Sequence, residues 1–247
     1  MKTSNMNNIL DNIRIVLIQT SHPGNIGSAA RAMKVMGLSD LCLVKPRFFP
    51  DDQANALASS ATDILENATI VDTLQQAIAD CRLVIGTSAR HHRTLQWETQ
   101  DSRSCGASVV KQAQTGKVAI VFGRESSGLT NEELSHCHSL VHIPTNPDYS
   151  SLNIASAVQI LSYECRLAAQ SAEASAVCKT EDERVSSAEM DGYFKQLETV
   201  LIETDFLDPD KPRHLMPRLR RLYSRTGVNR SELNILRGIL TAFQKKN

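Results

Sequence analysis

Four stretches carry the residue types from which a binding or reactive site is built: "SHPGNIGSAARAMKVMG" at 21–37, "GTSAR" at 86–90, "VAIVFGRESSGL" at 118–129 and "HIPTNPDYSSLN" at 142–153. Each contains or follows an apolar run of strand character that breaks into Gly, Ser, Thr or Asn. Small residues let a ligand approach the main chain, and hydroxyls and amides add directional hydrogen bonds. Arg31 sits in the first turns of a small-residue helix, a place where a guanidinium can meet a phosphate or a ligand at the end of a sheet. On these residues alone the plainer readings stay open. Asn25 or Ser28 can cap a helix, Arg31 can be a surface arginine, residues 86–90 can be a simple strand-to-helix turn, and Ser150 and Ser151 can be N-caps.

The spacing excludes some chemistry. Gly24-x-x-Gly27 lacks the dinucleotide pattern G-x-G-x-x-G, and no G-x-x-x-x-G-K-[ST] occurs, so neither a Rossmann cofactor nor a nucleoside triphosphate is expected. Arg90 and Arg93, with His91 and His92 between them, form a short basic loop suited to phosphate. Two adjacent histidines without further ligands do not make a metal site, and His136, Cys137 and His138 read as the end of a helix, so no metal is expected. The six cysteines are widely spaced with no C-x-x-C pair, which fits reduced, buried thiols.

The elements that must position these residues alternate. Strand-like runs at 13–19, 41–45, 69–72, 82–87, 117–122 and 140–143 are separated by helical segments such as 25–37, 73–80 and 104–114. Strands alternating with helices imply an α/β fold with a parallel sheet covered on both faces, and in such sheets ligands bind beyond the carboxyl ends of strands. Residues 151–168 form the longest helix, with Leu152, Ala155, Val158, Leu161 and Cys165 on one face. The Ala/Ser-rich and charged stretch from about 169 to about 185 reads as a linker. Ser186 with Glu189 then opens a helix to about Phe206, and Asn229 with Glu232 opens a final one. This tail is short in apolar residues for a core of its own.

Formal charge is zero over 247 residues, yet from Lys211 to Asn247 there are ten Lys or Arg against one acid, Glu232. The tail is therefore +9 and residues 1–210 carry −9. A polyanion, most simply nucleic acid, is the expected partner of the basic part, the alternative being a solvated basic surface. No run of about 18 apolar residues occurs, and the first residues lack the apolar core of a signal peptide, so no membrane association and a cytoplasmic location are expected.

Taken together, the four stretches resemble the SPOUT superfamily of methyltransferases, in its TrmH-like branch. The first family motif is matched by Asn25-Ile26-Gly27-Ser28-Ala29-Ala30-Arg31, the second by Ile120 through Leu129, and the third by Ile143-Pro144 through Ser150-Ser151-Leu152-Asn153. Order and spacing agree. Residues 86–90, Asn131-Glu132-Glu133-Leu134 and the basic helical tail are similar to those of the bacterial tRNA ribose methyltransferases of that branch; the His91-His92 pair departs from them. The resemblance covers essentially the whole chain and is strongest over 13–165.

The resemblance implies a SPOUT parallel sheet with a C-terminal deep trefoil knot over residues 1–168, a linker at 169–185 and a small basic helical, tRNA-binding extension at 186–247. It implies a homodimer that uses S-adenosylmethionine, without a metal, to methylate the 2′-oxygen of cytidine or uridine at position 32 of the tRNA anticodon loop. The cofactor would be held by Thr87, Ser88, Ala89, Gly123, Ile143, Ser150, Ser151 and Leu152, with Gly123 kept small because the adenosine-bearing ligand presses on the main chain. Arg31 would grip the phosphate beside the target ribose, buttressed by Asn25. Ser151 and Asn153 would orient the hydroxyl, and Glu125 would order the second-motif loop. Arg31, Arg90, Arg93, Arg218, Arg220, Arg221 and Arg225 would contact RNA. Two alternatives stand beside this: a ribosomal RNA 2′-O-methyltransferase of the same fold, and a catalytically silent RNA-binding module.

Overall fold

A computed structural model describes residues 9–88, 98–174 and 184–245. Seven strands form one parallel sheet in the order β3-β2-β1-β6-β4-β7-β5. They are β1 (Ile13–Ile18), β2 (Asp40–Val44), β3 (Thr69–Val71), β4 (Cys81–Thr87), β5 (Thr99–Asp101), β6 (Lys117–Phe122) and β7 (Ser139–His142). Six of them are the apolar runs of the sequence, shifted by a residue or two at some ends. β5 is an addition: it has three polar residues, and only its pairing with β7 makes it a strand.

Alternation along β1 and β6 divides the core. Ile13, Ile15, Leu17, Val118, Ile120 and Phe122 face one apolar layer, and Val16, Ile18, Ala119 and Val121 face the other. The first layer is closed by α1 (Pro23–Met36), α2 (Asp52–Ala58), α5 (Ser102–Ala113) and α7 (Ile154–Ala174). Gly27 lets α1 meet α2, since a Cβ there would lie 2.0 Å from the Ala54 carbonyl oxygen. The short helices α3 (Thr62–Glu66), α4 (Leu74–Ile78) and α6 (Asn131–Ser135) fill the remaining crossovers. Five cysteines, Cys42, Cys81, Cys105, Cys137 and Cys165, are buried and free. Burial pushes the Cys42 thiol up to about 11 and those of Cys81 and Cys105 up to about 12.

The amino-terminal edge of the sheet is locked by charge. Arg14 Nε donates to Asp40 at 3.0 Å and its Nη1 to Asp80 at 2.6 Å. Lys117 Nζ lies 3.2 Å from Asp40 and 3.4 Å from Asp80. Four chain segments meet in this cluster, which leaves the opposite, carboxyl-terminal edge free for loops of another purpose.

Two expected boundaries move. α7 begins at Ile154, because the Asn153 side chain accepts from the Ala155 N–H at 2.8 Å, and it continues past 168 to Ala174. Ser150 and Ser151 therefore lie ahead of the helix and cap nothing. The tail holds α8 (Ser187–Glu203), α9 (Leu215–Thr226) and α10 (Arg230–Gln244), with the expected capping boxes Ser186/Glu189 and Asn229/Glu232. Contrary to the expectation of a poor core, Val185, Tyr193, Phe194, Leu197, Val200, Val228, Leu233 and Leu240 form their own buried apolar cluster.

Candidate active site

β1 and β6 are neighbours whose successors run to opposite sides of the sheet, so the loops after them open a crevice at the switch point. Leu17 pairs with Phe122, Gly86 with Val121, and Thr87 with Val141. That register brings the ends of β1, β4, β6 and β7 to one level. Beyond them lies a cleft of about 630 Å³ lined by residues of all four segments that carry the sequence motifs.

Thr87, Ser88, Gly123, Ile143, Ser150, Ser151 and Leu152 all line this cleft, as do Asn25, Glu125 and Asn153. Ala89, Arg90, His91, His92 and Arg93 lie outside the described residues. A continuous hydrogen-bond chain ties three of the motifs together. Asn153 Nδ2 donates to Asn25 Oδ1 at 2.9 Å, and Asn25 Nδ2 donates to Glu125 Oε1 at 3.1 Å. The Ser21 hydroxyl and N–H also donate to the Glu125 carboxylate, at 3.1 and 3.3 Å. Partial burial works to raise the Glu125 carboxyl, but these donors and its own backbone N–H hold it below the usual carboxylate range.

The loop bearing Glu125 is itself closed. Arg124 and Gly128 exchange backbone hydrogen bonds at 3.2 and 2.8 Å, with Gly128 in the left-handed region at φ 69°. The Arg124 guanidinium forks onto both Glu133 oxygens at 3.0 and 2.9 Å and reaches Gln19 Oε1 at 2.7 Å. Glu133 caps α6 together with Thr130. The sequence pattern Thr130-x-x-Glu133 announces that capping box; its second use, as the anchor of Arg124, is visible only in three dimensions.

Three readings change. A Cβ on Gly123 would lie 2.2 Å from the Gly128 carbonyl carbon and 2.4 Å from the Leu129 nitrogen. The loop's own backbone, rather than a ligand, demands glycine there. Gly86 is likewise packed by the side chains of Cys137, Leu129 and Leu140. Asn25 spends its amide on Glu125 and Asn153 instead of buttressing Arg31, which lies in the third turn of α1, exposed and outside the cleft lining. His22, Arg124, Ser126, Ser127 and Tyr149 also line the cleft; the sequence assigned them no individual role, although all five lie within the motif stretches.

Comparison with known proteins bears directly on this arrangement. The family model described as SpoU rRNA Methylase matches residues 12–163, more than half of the chain. The chain belongs to the SpoU methylase family. A second model, the C-terminal domain of the tRNA methyltransferase TrmJ, matches residues 188–247. A curated SpoU relative, the tRNA (cytidine/uridine/adenosine-2′-O-)-methyltransferase TrmJ of Pseudomonas aeruginosa, is 52% identical over 96% of this chain and 95% of its own. The crystal structure of TrmJ from Z. mobilis superposes with a TM-score of 0.82 at 30% identity, covering 94% of this chain and 98% of that one. The SpoU methyltransferase AviRb of Streptomyces viridochromogenes, solved in complex with AdoMet, shares the fold at 22% identity and a TM-score of 0.51, covering 65% of this chain and 62% of its own.

In this SpoU chain the extension docks on the side of the sheet. The Ala188 N–H donates to the Ala79 carbonyl at 3.1 Å and Ser187 Oγ to the Cys81 carbonyl at 3.0 Å. Arg220 donates to Asp191 at 2.5 Å and stacks on Phe194 at 4.5 Å, so this predicted RNA contact is engaged in holding α9 to α8. Arg218 and Arg225 are exposed, and Arg221 is half-buried. Among the described residues no group of His, Cys, Asp or Glu is arranged to hold a metal ion, and no helix is long and apolar enough to cross a membrane.

Proposed function

We propose that this chain transfers a methyl group from S-adenosylmethionine to the ribose 2′-oxygen of the pyrimidine at position 32 in the tRNA anticodon loop. The observation that carries the reading is convergence. Seven residues assigned to the cofactor and Asn25, Glu125, Ser151 and Asn153 share one cleft, in a chain about half identical, over nearly its full length, to relatives named as tRNA 2′-O-methyltransferases.

The cleft suits the cofactor on physical grounds. Its volume, about 630 Å³, is within the range of small-molecule sites, and it offers apolar walls beside a few polar groups. Phe122, Val141, Ile143 and Leu152 provide the former, and Thr87, Ser88, Ser150 and Ser151 the latter. When bound, S-adenosylmethionine supplies a methyl group made electrophilic by its sulfonium. The chain's part is to position the ribose and to accommodate loss of the hydroxyl proton. Ser151 and Asn153 orient the hydroxyl, and Glu125 holds Ser21 and Asn25 to the second-motif loop.

Arg31 grips the phosphate next to the target ribose and stabilises negative charge developing on oxygen; a guanidinium stays protonated and does not serve as a base. Its place outside the cleft of its own chain favours a homodimer in which one subunit's arginine serves the other's cleft. The last strands and helix of the 1–168 domain form the deep trefoil knot on this reading. The helical extension that follows α7 contacts the rest of the tRNA in the cytoplasm. Replacing Arg31→Lys removes the two-pronged grip, and kcat should fall by at least about tenfold; an intact turnover contradicts this role.

The deciding experiment is transfer of labelled methyl from S-adenosylmethionine to unmodified tRNA, with the product nucleotide located by nuclease mapping. Label on the 2′-oxygen at position 32 is expected. Label in ribosomal RNA alone favours the reading suggested by the family model's description, and cofactor binding without transfer to any RNA favours the silent module. The curated relatives differ in whether adenosine is named with cytidine and uridine, so the same assay with each base at position 32 defines the acceptor.

A further inference from the structure

His22 occupies the N-cap of α1 with extended backbone (φ −107°, ψ 114°), and its side chain makes no capping hydrogen bond. Ser, Thr, Asp or Asn is preferred at that position because a short oxygen-bearing side chain satisfies the helix's free N–H groups. The imidazole does none of this, so helix stability does not account for the residue. His22 is exposed and is one of the residues that line the cleft.

Among the described residues, the other charged side chains on that wall are committed. The Glu125 carboxylate accepts from Ser21 and Asn25. Arg124 is forked onto Glu133. Tyr149 contributes a phenol from the segment after β7. From the segment after β2, Arg47 comes close through its backbone N–H, which donates to the Thr20 carbonyl at 3.2 Å; a guanidinium is no proton acceptor. An imidazole, by contrast, changes charge between pH 5 and 8.

We propose that His22 is the general base of the methyl transfer, an inference that rests on the function proposed above. A neutral His22 ring nitrogen takes the proton of the ribose 2′-hydroxyl while an oxygen lone pair forms the new O–CH3 bond. The S–CH3 bond breaks with its electron pair remaining on sulfur. The sulfonium charge is thereby neutralised, a positive charge appears on the imidazolium, and that proton is later lost to water.

The test is single-turnover methyl transfer to unmodified tRNA from about pH 5.5 to 8.5, spanning the imidazole range, for the wild type, His22→Gln and His22→Ala. It is accompanied by tRNA and S-adenosylmethionine Kd values and by an NMR titration of the His22 ring, identified by its disappearance in His22→Gln. The wild-type rate should rise about tenfold per pH unit to a plateau, with a midpoint that coincides with the NMR titration. Both variants should lose about 100-fold or more on the plateau with Kd values kept within about twofold. Added imidazole should restore part of the rate to His22→Ala. Wild-type rate and pH limb in His22→Gln, or a loss confined to tRNA affinity, overturn the assignment while leaving the methyltransferase reading intact. Absence of transfer by the wild type to any tRNA overturns both.

Discussion

Gly123 separates two explanations that look alike in a sequence. A glycine at the end of a buried strand can make room for a ligand or for the protein itself. Here the atoms that a methyl group would meet are the Gly128 carbonyl carbon and oxygen, at 2.2 and 2.6 Å, and the Leu129 nitrogen at 2.4 Å. Backbone at that distance cannot be relieved by rotating a side chain. Gly123→Ala must therefore open the loop held by the two Arg124–Gly128 hydrogen bonds, at a cost of roughly 1–3 kcal/mol, the range of an overpacked core. The melting temperature should drop by several degrees, seen by calorimetry without ligand, and S-adenosylmethionine affinity should fall with it. An unchanged melting temperature with lost affinity would restore the ligand explanation. The Glu125–Asn25–Asn153 chain is the complementary case: the sequence nominated each residue, and only the fold shows that they are one another's partners.

Elements were legible wherever local physics dictates them. Apolar runs without alternation became the parallel strands, and Ser186/Glu189 and Asn229/Glu232 opened helices as their spacing requires. Elements whose cause lies elsewhere in the molecule were missed. β5 is polar and exists because β7 offers an edge. α9 carries Pro217 in its first turn, where proline is tolerated, and its arginines masked an amphipathic face. The turn between α6 and β7 hides a further contact. The Val84 N–H donates to His138 Nδ1 at 3.0 Å, which requires that nitrogen to be unprotonated, and desolvation together with Arg184 depresses His138 to about 4. An unfolded histidine takes up its proton near ~6.5. Between these values the unfolded state binds more protons, so stability is present above about 6.5 and declines as pH falls toward 4. On the order of 3 kcal/mol is at stake for this residue. His138→Asn keeps an acceptor without the titration, and the slope of melting temperature against pH should flatten over that window; an unchanged slope would assign the acid sensitivity to other groups.

At the scale of the whole molecule the chain is electrically divided, −9 over residues 1–210 and +9 beyond, and a small polar joint connects α6 to the helices of the extension. His136, which ends α6, lies 3.9 Å from Asp191, which in turn binds Arg220. Because Glu133 of the same α6 anchors Arg124, the joint stands one short helix away from the cleft loop. The arginines of the extension divide by environment, Arg218 and Arg225 exposed and Arg220 engaged in the joint, and salt dependence tests whether that is also a division of role. Each phosphate neutralised by a cation adds about one unit to the slope of log affinity against log salt. Arg218→Ala and Arg225→Ala, at exposed positions, should each lower the tRNA slope by roughly one while leaving the melting temperature unchanged. Arg220→Ala strands Asp191 and uncovers Phe194, so it should lower the melting temperature by a few degrees and weaken tRNA binding through the joint, with little change in slope. Affinity that is flat from low to moderate salt in the wild type would remove the phosphate-binding role from the tail altogether, and leave its charge as a solvated surface.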